Sequence, residues 1–270
     1  MHMSRSARRW LLAALTTIAT TAGLVLGVTT PAQAASNVHY VALGDSYSSG
    51  LGAGSYSGGD CKRSSKGYAV LWANANAPGS FINATCSGAT TTTVINSQVN
   101  SLSATTTLVS ITIGGNDAGF ANIMTTCVLQ GTTACVNSVQ SAMNYAQSTL
   151  PGRLDAAFSA IKSRAPNAEV VVLNYPRFYV LNKPFCIGLS ETSRKKINDG
   201  INLISTVLQS AASRHGFTFA DVRGYFTNHE LCGSSSNWLN SLSILNLSES
   251  YHPNAAGQSG GYLPAFTAAA

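Results

Sequence analysis

Short apolar runs alternate with longer amphipathic stretches along most of the chain. Four runs rich in valine, isoleucine and aromatic residues have the length of buried strands, and they span residues 37–43, 107–113, 168–175 and 217–222. A weaker run spans residues 80–85. Stretches with apolar residues at helical spacing span residues 65–77, 137–165 and 190–214. Strands that alternate with helices predict an α/β fold, in which helices cover both faces of a parallel sheet.

The N-terminus has the charge and hydropathy pattern of a secretory signal peptide. Three arginines precede an apolar run over residues 10–28, and Ala-Gln-Ala at residues 32–34 offers the small residues of a cleavage site. We expect residues 1–34 to be removed on export, so that the mature protein is secreted and extracellular. A retained membrane anchor is the alternative for this segment. Residues 35–270 show no internal repeat and no linker-like change of composition, which predicts one domain with a single core.

The charge balance argues against a nucleic-acid partner. The chain carries 16 lysine and arginine residues against 10 aspartate and glutamate residues, a formal net charge of +6. Three of the arginines lie in the predicted signal, which leaves 13 basic against 10 acidic residues, or +3. No basic cluster alternates with aromatic residues, as nucleic-acid binding would require. The densest basic group, residues 194–196, precedes apolar residues at helical spacing and is expected on a solvated helix face.

All the cysteines follow the predicted signal. They are Cys61, Cys86, Cys127, Cys135, Cys186 and Cys232. An even number in an exported chain predicts three disulfides. A short polar loop separates Cys127 from Cys135, and we expect these two to pair. The same sequential pattern predicts Cys61–Cys86 and Cys186–Cys232. A metal site is the alternative, but the chain has no Cys-x-x-Cys spacing.

Small and polar residues directly follow two of the predicted strands. The first strand runs into Gly-Asp-Ser, which ends at Ser46, and the second runs into Gly-Gly-Asn-Asp at residues 114–117. Ligands of parallel α/β sheets bind beyond the carboxyl ends of the strands. Ser46 is therefore either a nucleophile at that edge or one small residue of a glycine-rich loop. The Asn116 side chain and the N–H of Gly88, which follows the weak strand, are candidate donors to an oxyanion.

A serine nucleophile needs a base, and His252 is the histidine with the fewest competing explanations. It lies on a late loop, followed by a proline that can open a short terminal helix. The other histidines are explained by the signal segment, a strand, a helix end and an incomplete zinc motif. They are His2, His39, His215 and His229. Position alone does not decide between a base and a structural histidine at position 252.

Taken together, four motifs resemble those of the SGNH, or GDSL, hydrolase family. They are Gly-Asp-Ser at 44–46, Gly88, Gly-Gly-Asn-Asp at 114–117 and Tyr-His-Pro at 251–253, in the family's order. The chain is similar in particular to secreted actinomycete lipases, esterases and phospholipases A with three disulfides. The resemblance implies a three-layer α/β/α, flavodoxin-like fold with a central parallel sheet.

The resemblance also implies the site residues. Ser46 would be the nucleophile and His252 the base. The oxyanion hole would consist of the N–H groups of Ser46 and Gly88 and the side-chain amide of Asn116. Asp45 would be structural.

The implied function is hydrolysis of lipid esters through an acyl-enzyme, without a metal or organic cofactor. The expected partner is a lipid ester, in solution or at an aggregate or membrane surface, and the expected state is a monomer. Two alternatives stay open. One is a carbohydrate-ester deacetylase that uses the same site, and the other is a non-catalytic extracellular binding module.

The family pattern breaks at one position. The usual fourth motif has aspartate three residues before the histidine, where this chain has Glu249. Its side chain is one methylene longer, and a misplacement of ~1 Å matters in such a site. We expect the main-chain carbonyl of Ser250 to orient His252 and Glu249 to be exposed. The alternative is that the Glu249 carboxylate is the orienting group.

Overall fold

A computed structural model describes residues 36–243 and 245–270. The predicted signal peptide, residues 1–34, lies outside the described residues. Over the ranges that are described, no helix combines the length and the apolar character needed to cross a bilayer.

The strands are β1 (Ser36–Gly44), β2 (Tyr56–Ser57), β3 (Arg63–Ser64), β4 (Pro78–Asn83), β5 (Leu108–Thr112), β6 (Glu169–Leu173) and β7 (Thr218–Ala220). Five of them form one sheet in the order β4-β1-β5-β6-β7, and all neighbours in this sheet are parallel. β2 and β3 form a separate antiparallel pair. In a doubly wound sheet of this order, the ligand site lies beyond β1 and β5, where the winding direction reverses.

The helices are α1 (Ser46–Ser49), α2 (Tyr68–Asn76), α3 (Thr91–Asn96), α4 (Phe120–Leu129), α5 (Gly131–Ser148), α6 (Leu150–Arg164), α7 (Glu191–Arg214), α8 (Ala255–Gly257) and α9 (Leu263–Thr267). A π-helical turn, Gln258–Tyr262, joins α8 to α9. Short 3₁₀ turns lie at Gly59–Cys61, Gln98–Ser101 and Leu247–Glu249.

The central strands are buried between two groups of helices. Every residue of β5 is buried, as are the last five residues of β1. α2 packs with α9, whereas α3, α5, α6 and α7 pack on one another. On α7, Ile197, Ile201, Ile204 and Leu208 are buried, and their spacing of three and four residues puts them on one face. The predicted α/β/α fold with a central parallel sheet is confirmed.

The helical stretch predicted over residues 137–165 is two helices rather than one. α5 ends at Ser148, α6 begins at Leu150, and Pro151 lies in the first turn of α6. Proline lacks the N–H that a helix interior uses, but its fixed φ suits a helix start. The apolar pattern also missed α3, which has six residues, and α4, which directly precedes α5.

The expectation that residues 194–196 lie on a solvated helix face is wrong for the first of them. Arg194 is buried, donates to the carbonyl of Cys186 and pairs with Glu191 at 3.0 Å. The Lys195 side chain is exposed, as expected. A buried guanidinium is tolerated because it has these two polar partners, one in the loop at Cys186 and one in the first turn of α7.

Three disulfides have the predicted sequential pairing, and they join Cys61 to Cys86, Cys127 to Cys135 and Cys186 to Cys232. The first holds the segment before Gly88, where the Ser87 N–H also donates to the Cys61 carbonyl. The second joins α4 to the start of α5. The third spans a sequence separation of 46 residues between two surface loops.

We expect the double substitution Cys186→Ser with Cys232→Ser to lower the free energy of unfolding by about 4 kcal/mol, because a bridge across a long loop restricts the unfolded chain most. Both cysteines are partly exposed, so little packing is lost. Urea unfolding under oxidising conditions measures the change. After reduction, the variant and the wild type should have the same stability. A difference that persists would contradict an effect on the unfolded chain.

Candidate active site

The carboxyl ends of β1 and β5 lie side by side, with Gly44 paired to Thr112. Gly44 has a φ of +113°, and a Cβ there would clash with the main chain of Thr112, so glycine is required. The Gln98 side chain accepts from the Gly44 N–H at 2.7 Å and donates to its carbonyl at 2.9 Å. The chain therefore leaves β1 at a fixed point and turns sharply into α1.

Ser46 is the first residue of α1. Its Oγ lies 2.7 Å from Nε2 of His252, across a sequence separation of 206 residues. Both residues are buried, with exposed fractions of 6% for Ser46 and 5% for His252. A serine hydroxyl hydrogen-bonded to a buried imidazole is the arrangement of an activated nucleophile.

The main chain orients the imidazole of His252. Its Nδ1 lies 3.1 Å from the carbonyl oxygen of Ser250. A carbonyl oxygen only accepts hydrogen bonds, so the contact assigns the proton to Nδ1 and leaves Nε2 as the acceptor for Ser46. Burial lowers the pKa of His252 to about 4, and the Ser250 carbonyl and the charge of Glu249 oppose this shift only in part. The ring is therefore neutral at neutral pH.

Two aromatic rings enclose the imidazole. The ring centroid of Tyr47 lies 4.9 Å from that of His252, and the Phe120 ring lies 5.9 Å away and perpendicular to it. The Tyr47 hydroxyl also donates to the carbonyl of Tyr251 at 3.0 Å. These contacts fix the loop that carries His252 and account for its burial.

Glu249 does not hydrogen-bond to the imidazole. One of its carboxylate oxygens accepts from the hydroxyl of Tyr56 at 2.7 Å, and that hydroxyl accepts from the N–H of Gly52 at 2.8 Å. The expectation that Glu249 is exposed is wrong, because its side chain is half-buried in this contact. The acceptor nearest Nδ1 of His252 is the Ser250 carbonyl.

Ser46, Gly88, Asn116 and His252 line one cleft. Among the described residues, the N–H groups of Ser46 and Gly88 have no hydrogen-bond acceptor. The Asn116 amide donates to the Ala89 carbonyl at 2.9 Å, which leaves its second N–H for another acceptor. Gly88 has a φ of +79° and open space beside it. Ser46, Gly88 and Asn116 therefore have N–H groups available along the same cleft.

Asp45 joins the two strand-end loops from below the cleft. Its carboxylate accepts from the Tyr47 N–H at 3.0 Å, the Thr112 hydroxyl at 2.7 Å and the Tyr175 hydroxyl at 2.6 Å. Tyr175 in turn accepts from the Gly115 N–H at 3.0 Å. Burial raises the pKa of Asp45 to about 6, although these donors oppose the shift. Tyr175 was not predicted as a site residue, and its position just after β6 was the only signal.

An apolar cavity of about 90 Å³ opens beside Ser46. Its walls come mainly from α4, α5 and α7, and they include Ile123, Met124, Met143, Ile197 and Ile201. Gly200 also faces the cavity, and a Cβ there would come within 3.1 Å of Cγ1 of Val139. Glycine inside a helix costs about 1 kcal/mol relative to alanine. Its presence lets α5 and α7 approach closely along the cavity.

Comparison with known proteins identifies the family. Residues 42–259 match the model of the GDSL-like lipase/acylhydrolase family. The chain is 58% identical over 241 residues to Lipase 1 of Streptomyces coelicolor, which covers 88% of this chain and 89% of the relative. It is 53% identical over 232 residues to a lipase of Streptomyces rimosus, which covers 85% of this chain and 86% of the relative.

A solved structure agrees with these relatives. The crystal structure of phospholipase A1 from Streptomyces albidoflavus is similar with a TM-score of 0.84 and 51% identity, covering 86% of this chain and 99% of that chain. The chain therefore belongs to the GDSL-like lipase/acylhydrolase family.

Proposed function

We propose that this chain is a serine hydrolase that cleaves the carboxylic esters of lipids through an acyl-enzyme on Ser46. The observation that carries the proposal is the 2.7 Å hydrogen bond between Oγ of Ser46 and Nε2 of His252 in a buried cleft. A serine nucleophile at hydrogen-bond distance from a neutral general base is the pair that acyl transfer uses. The chemistry requires neither a metal nor an organic cofactor.

In the acylation step, Nε2 of His252 takes the hydroxyl proton as Oγ of Ser46 attacks the ester carbonyl. The carbonyl oxygen becomes an oxyanion and accepts from the N–H groups of Ser46 and Gly88 and the amide of Asn116. In this proposal the donors stabilise charge that exists only near the transition state. The imidazolium then donates its proton to the leaving alcohol as the tetrahedral intermediate collapses.

Deacylation repeats these steps with water. His252, neutral again, removes a proton from a water molecule that attacks the acyl carbonyl on Ser46. The same donors hold the second oxyanion, and the proton returns to Oγ of Ser46 as the carboxylic acid leaves. The Ser250 carbonyl keeps Nδ1 protonated throughout, so that Nε2 alone exchanges protons.

Two observations support lipid esters as the substrate class. Relatives over most of the chain are named lipases and a phospholipase A1. The cavity beside Ser46 is lined by aliphatic and aromatic side chains, as an acyl chain requires. The acyl chain would occupy this cavity, with its carbonyl carbon at Oγ of Ser46. An acetyl ester of a sugar would leave the cavity empty.

We also propose that residues 1–34 are a signal peptide and that residues 35–270 act outside the cell as a monomeric domain. The N-terminal composition supports export. The three disulfides support an oxidising compartment. One structural neighbour is named as an extracellular lipase.

The direct test compares Ser46→Ala with Ser259→Ala. Ser259 is an exposed serine in Gly-Gln-Ser-Gly-Gly, a motif that resembles a nucleophile elbow but does not follow a strand. We expect Ser46→Ala to retain the fold and to lower kcat on p-nitrophenyl butyrate by at least about 10⁴-fold. Ser259→Ala should be unaffected. Absence of hydrolysis by the wild type would favour a binding module and contradict the proposal.

A substrate panel with the wild-type chain resolves the substrate class. It should include triacylglycerols, phosphatidylcholine, short aryl esters and acetylated sugars. A clear preference for the acetylated sugars would replace the lipid proposal with carbohydrate-ester deacetylation.

We expect Glu249→Gln and Glu249→Ala to keep kcat within about threefold of wild type, because the Ser250 carbonyl and not the carboxylate accepts from Nδ1 of His252. Ser250→Ala, which retains the carbonyl, is the matched control and should also be active. Loss of the acid in a true triad costs about 10⁴-fold. A fall of a thousandfold or more in a folded Glu249→Ala variant would make Glu249 the orienting group.

We expect kcat/KM for a soluble ester to persist well below pH 6.5. His252 acts as a general base only when its imidazole is neutral. Its pKa is lowered from the usual value near 6.5 to about 4, so the imidazole stays neutral as the pH falls from 6.5 toward 4. A pH profile on p-nitrophenyl butyrate, with circular dichroism at each pH, measures this. The Asp45 carboxyl has a pKa of about 6, so its titration can add an inflection to the pH profile. The profile of the Asp45→Asn variant identifies that inflection. An acid limb at or above pH 6.5 in both chains would contradict the prediction.

A further inference from the structure

Eight large apolar side chains are exposed among the described residues, and five of them line the active-site cleft or the cleft next to it. Six belong to three surface segments near that cleft, and they are Leu129, Phe185, Ile187, Leu242, Leu245 and Leu247. We call these six the apolar rim. The other two, Ile82 and Tyr225, line neither the cleft nor its neighbour.

The apolar rim is continuous with the site. Leu129, Leu242 and Leu247 line the cleft that also holds Ser46 and His252. Phe185 and Ile187 line a neighbouring cleft, which shares Val128, Leu242 and Tyr251 with the first. Leu245 lies between Leu242 and Leu247 along the chain. The exposed side chains therefore extend outward from the mouth of the catalytic cleft.

Three members of the rim have almost no contact with the rest of the protein. Phe185 is 97%, Ile187 95% and Leu245 94% exposed. Such side chains add nothing to the core, and a concentrated group of them on a soluble protein marks a surface that binds an apolar partner.

Their loops are nevertheless anchored. The Cys186–Cys232 bridge holds the first loop, which carries Phe185 and Ile187. The second loop carries Leu245. Two main-chain hydrogen bonds close it, from the Asn240 N–H to the His252 carbonyl and from the Tyr251 N–H to the Asn240 carbonyl. The two ends of this second loop therefore bond to each other directly beside His252.

The rim carries little charge. The described residues that line the two clefts include no Asp, Glu or Arg. Lys183 is their one lysine and His252 their one histidine. A surface built to bind anionic lipids would present several cations. This composition instead fits insertion into a neutral or zwitterionic lipid layer, where removal of apolar side chains from water supplies the binding energy.

We propose that the apolar rim docks the protein on the surface of an aggregated zwitterionic or neutral lipid ester, with the catalytic cleft facing the layer. The inference rests on the proposed hydrolysis of lipid esters. In the docked state, an acyl ester passes from the layer into the cleft past Leu129, Leu242 and Leu247. The more exposed Phe185, Ile187 and Leu245 insert between the lipids.

Binding is tested without turnover in the Ser46→Ala background. The rim variant adds Phe185→Ser, Ile187→Ser and Leu245→Ser, and the matched control adds Ile82→Ser and Tyr225→Ser, which are exposed apolar residues outside the rim. Co-sedimentation with phosphatidylcholine vesicles should show an apparent Kd at least tenfold higher for the rim variant. The control should stay within twofold of its parent. Binding of the parent should change little between low and high salt.

Catalysis supplies the second arm, with Ser46 intact. The rim variant should keep kcat/KM on dissolved p-nitrophenyl butyrate within twofold, which also reports its fold, and should lose at least tenfold on phosphatidylcholine vesicles. A second variant with Phe185→Leu and Ile187→Leu should retain vesicle binding and vesicle hydrolysis, because it keeps the apolar side chains.

Several outcomes would overturn the proposal. They are unchanged vesicle binding by the rim variant, an equal loss in the matched control, or binding that high salt abolishes. A dimer in sedimentation equilibrium that the rim variant dissociates would assign the rim to a second copy of the chain instead. If the wild type hydrolyses no dissolved ester, the proposed function fails, whereas the vesicle-binding comparison in the Ser46→Ala background still stands.

Discussion

The geometry of the site depends on the buried carboxylate of Asp45. It accepts from the Tyr47 N–H, the Thr112 hydroxyl and the Tyr175 hydroxyl, so that α1, the end of β5 and the loop after β6 meet at one group. A carboxylate buried without these donors would be strongly unfavourable, and each segment is therefore held in place. Because Asp45 directly precedes Ser46, this network positions the proposed nucleophile without contacting its hydroxyl.

The proposed base, His252, is held in a different way. The Ser250 carbonyl orients His252 but brings no full charge, so burial dominates and lowers the pKa of the imidazole. The nearby carboxylate of Glu249 binds Tyr56 and fastens the loop instead. The resting site therefore holds a neutral base in apolar surroundings. In the proposed mechanism, charge develops only as the imidazolium and the oxyanion form together, close to the N–H donors of the cleft.

Local sequence pattern accounts for much of this architecture. The buried parts of β1, β5 and β6 appear as short, mainly apolar runs, and α7 shows a regular apolar stripe. The motifs that end at Ser46 and begin at Gly114 come together because parallel strands place their carboxyl ends on one edge. The pattern failed where helices are short or adjoining, at α3, α4 and the break before Pro151. Such helices depend on packing more than on a long periodic signal.

Sequence alone thus indicates the sheet type, the Cys127–Cys135 pair and the candidate nucleophile, because these follow from periodicity, spacing and motif order. The three-dimensional arrangement is needed for the acceptor of His252, the partner of Glu249 and the part played by Tyr175. Each of these depends on distances between segments far apart in the chain. The burial of individual apolar side chains also depends on the three-dimensional arrangement. Phe178 and Phe185 are alike in sequence, yet one is 2% and the other 97% exposed, because packing partners and not residue type decide which apolar side chain meets solvent.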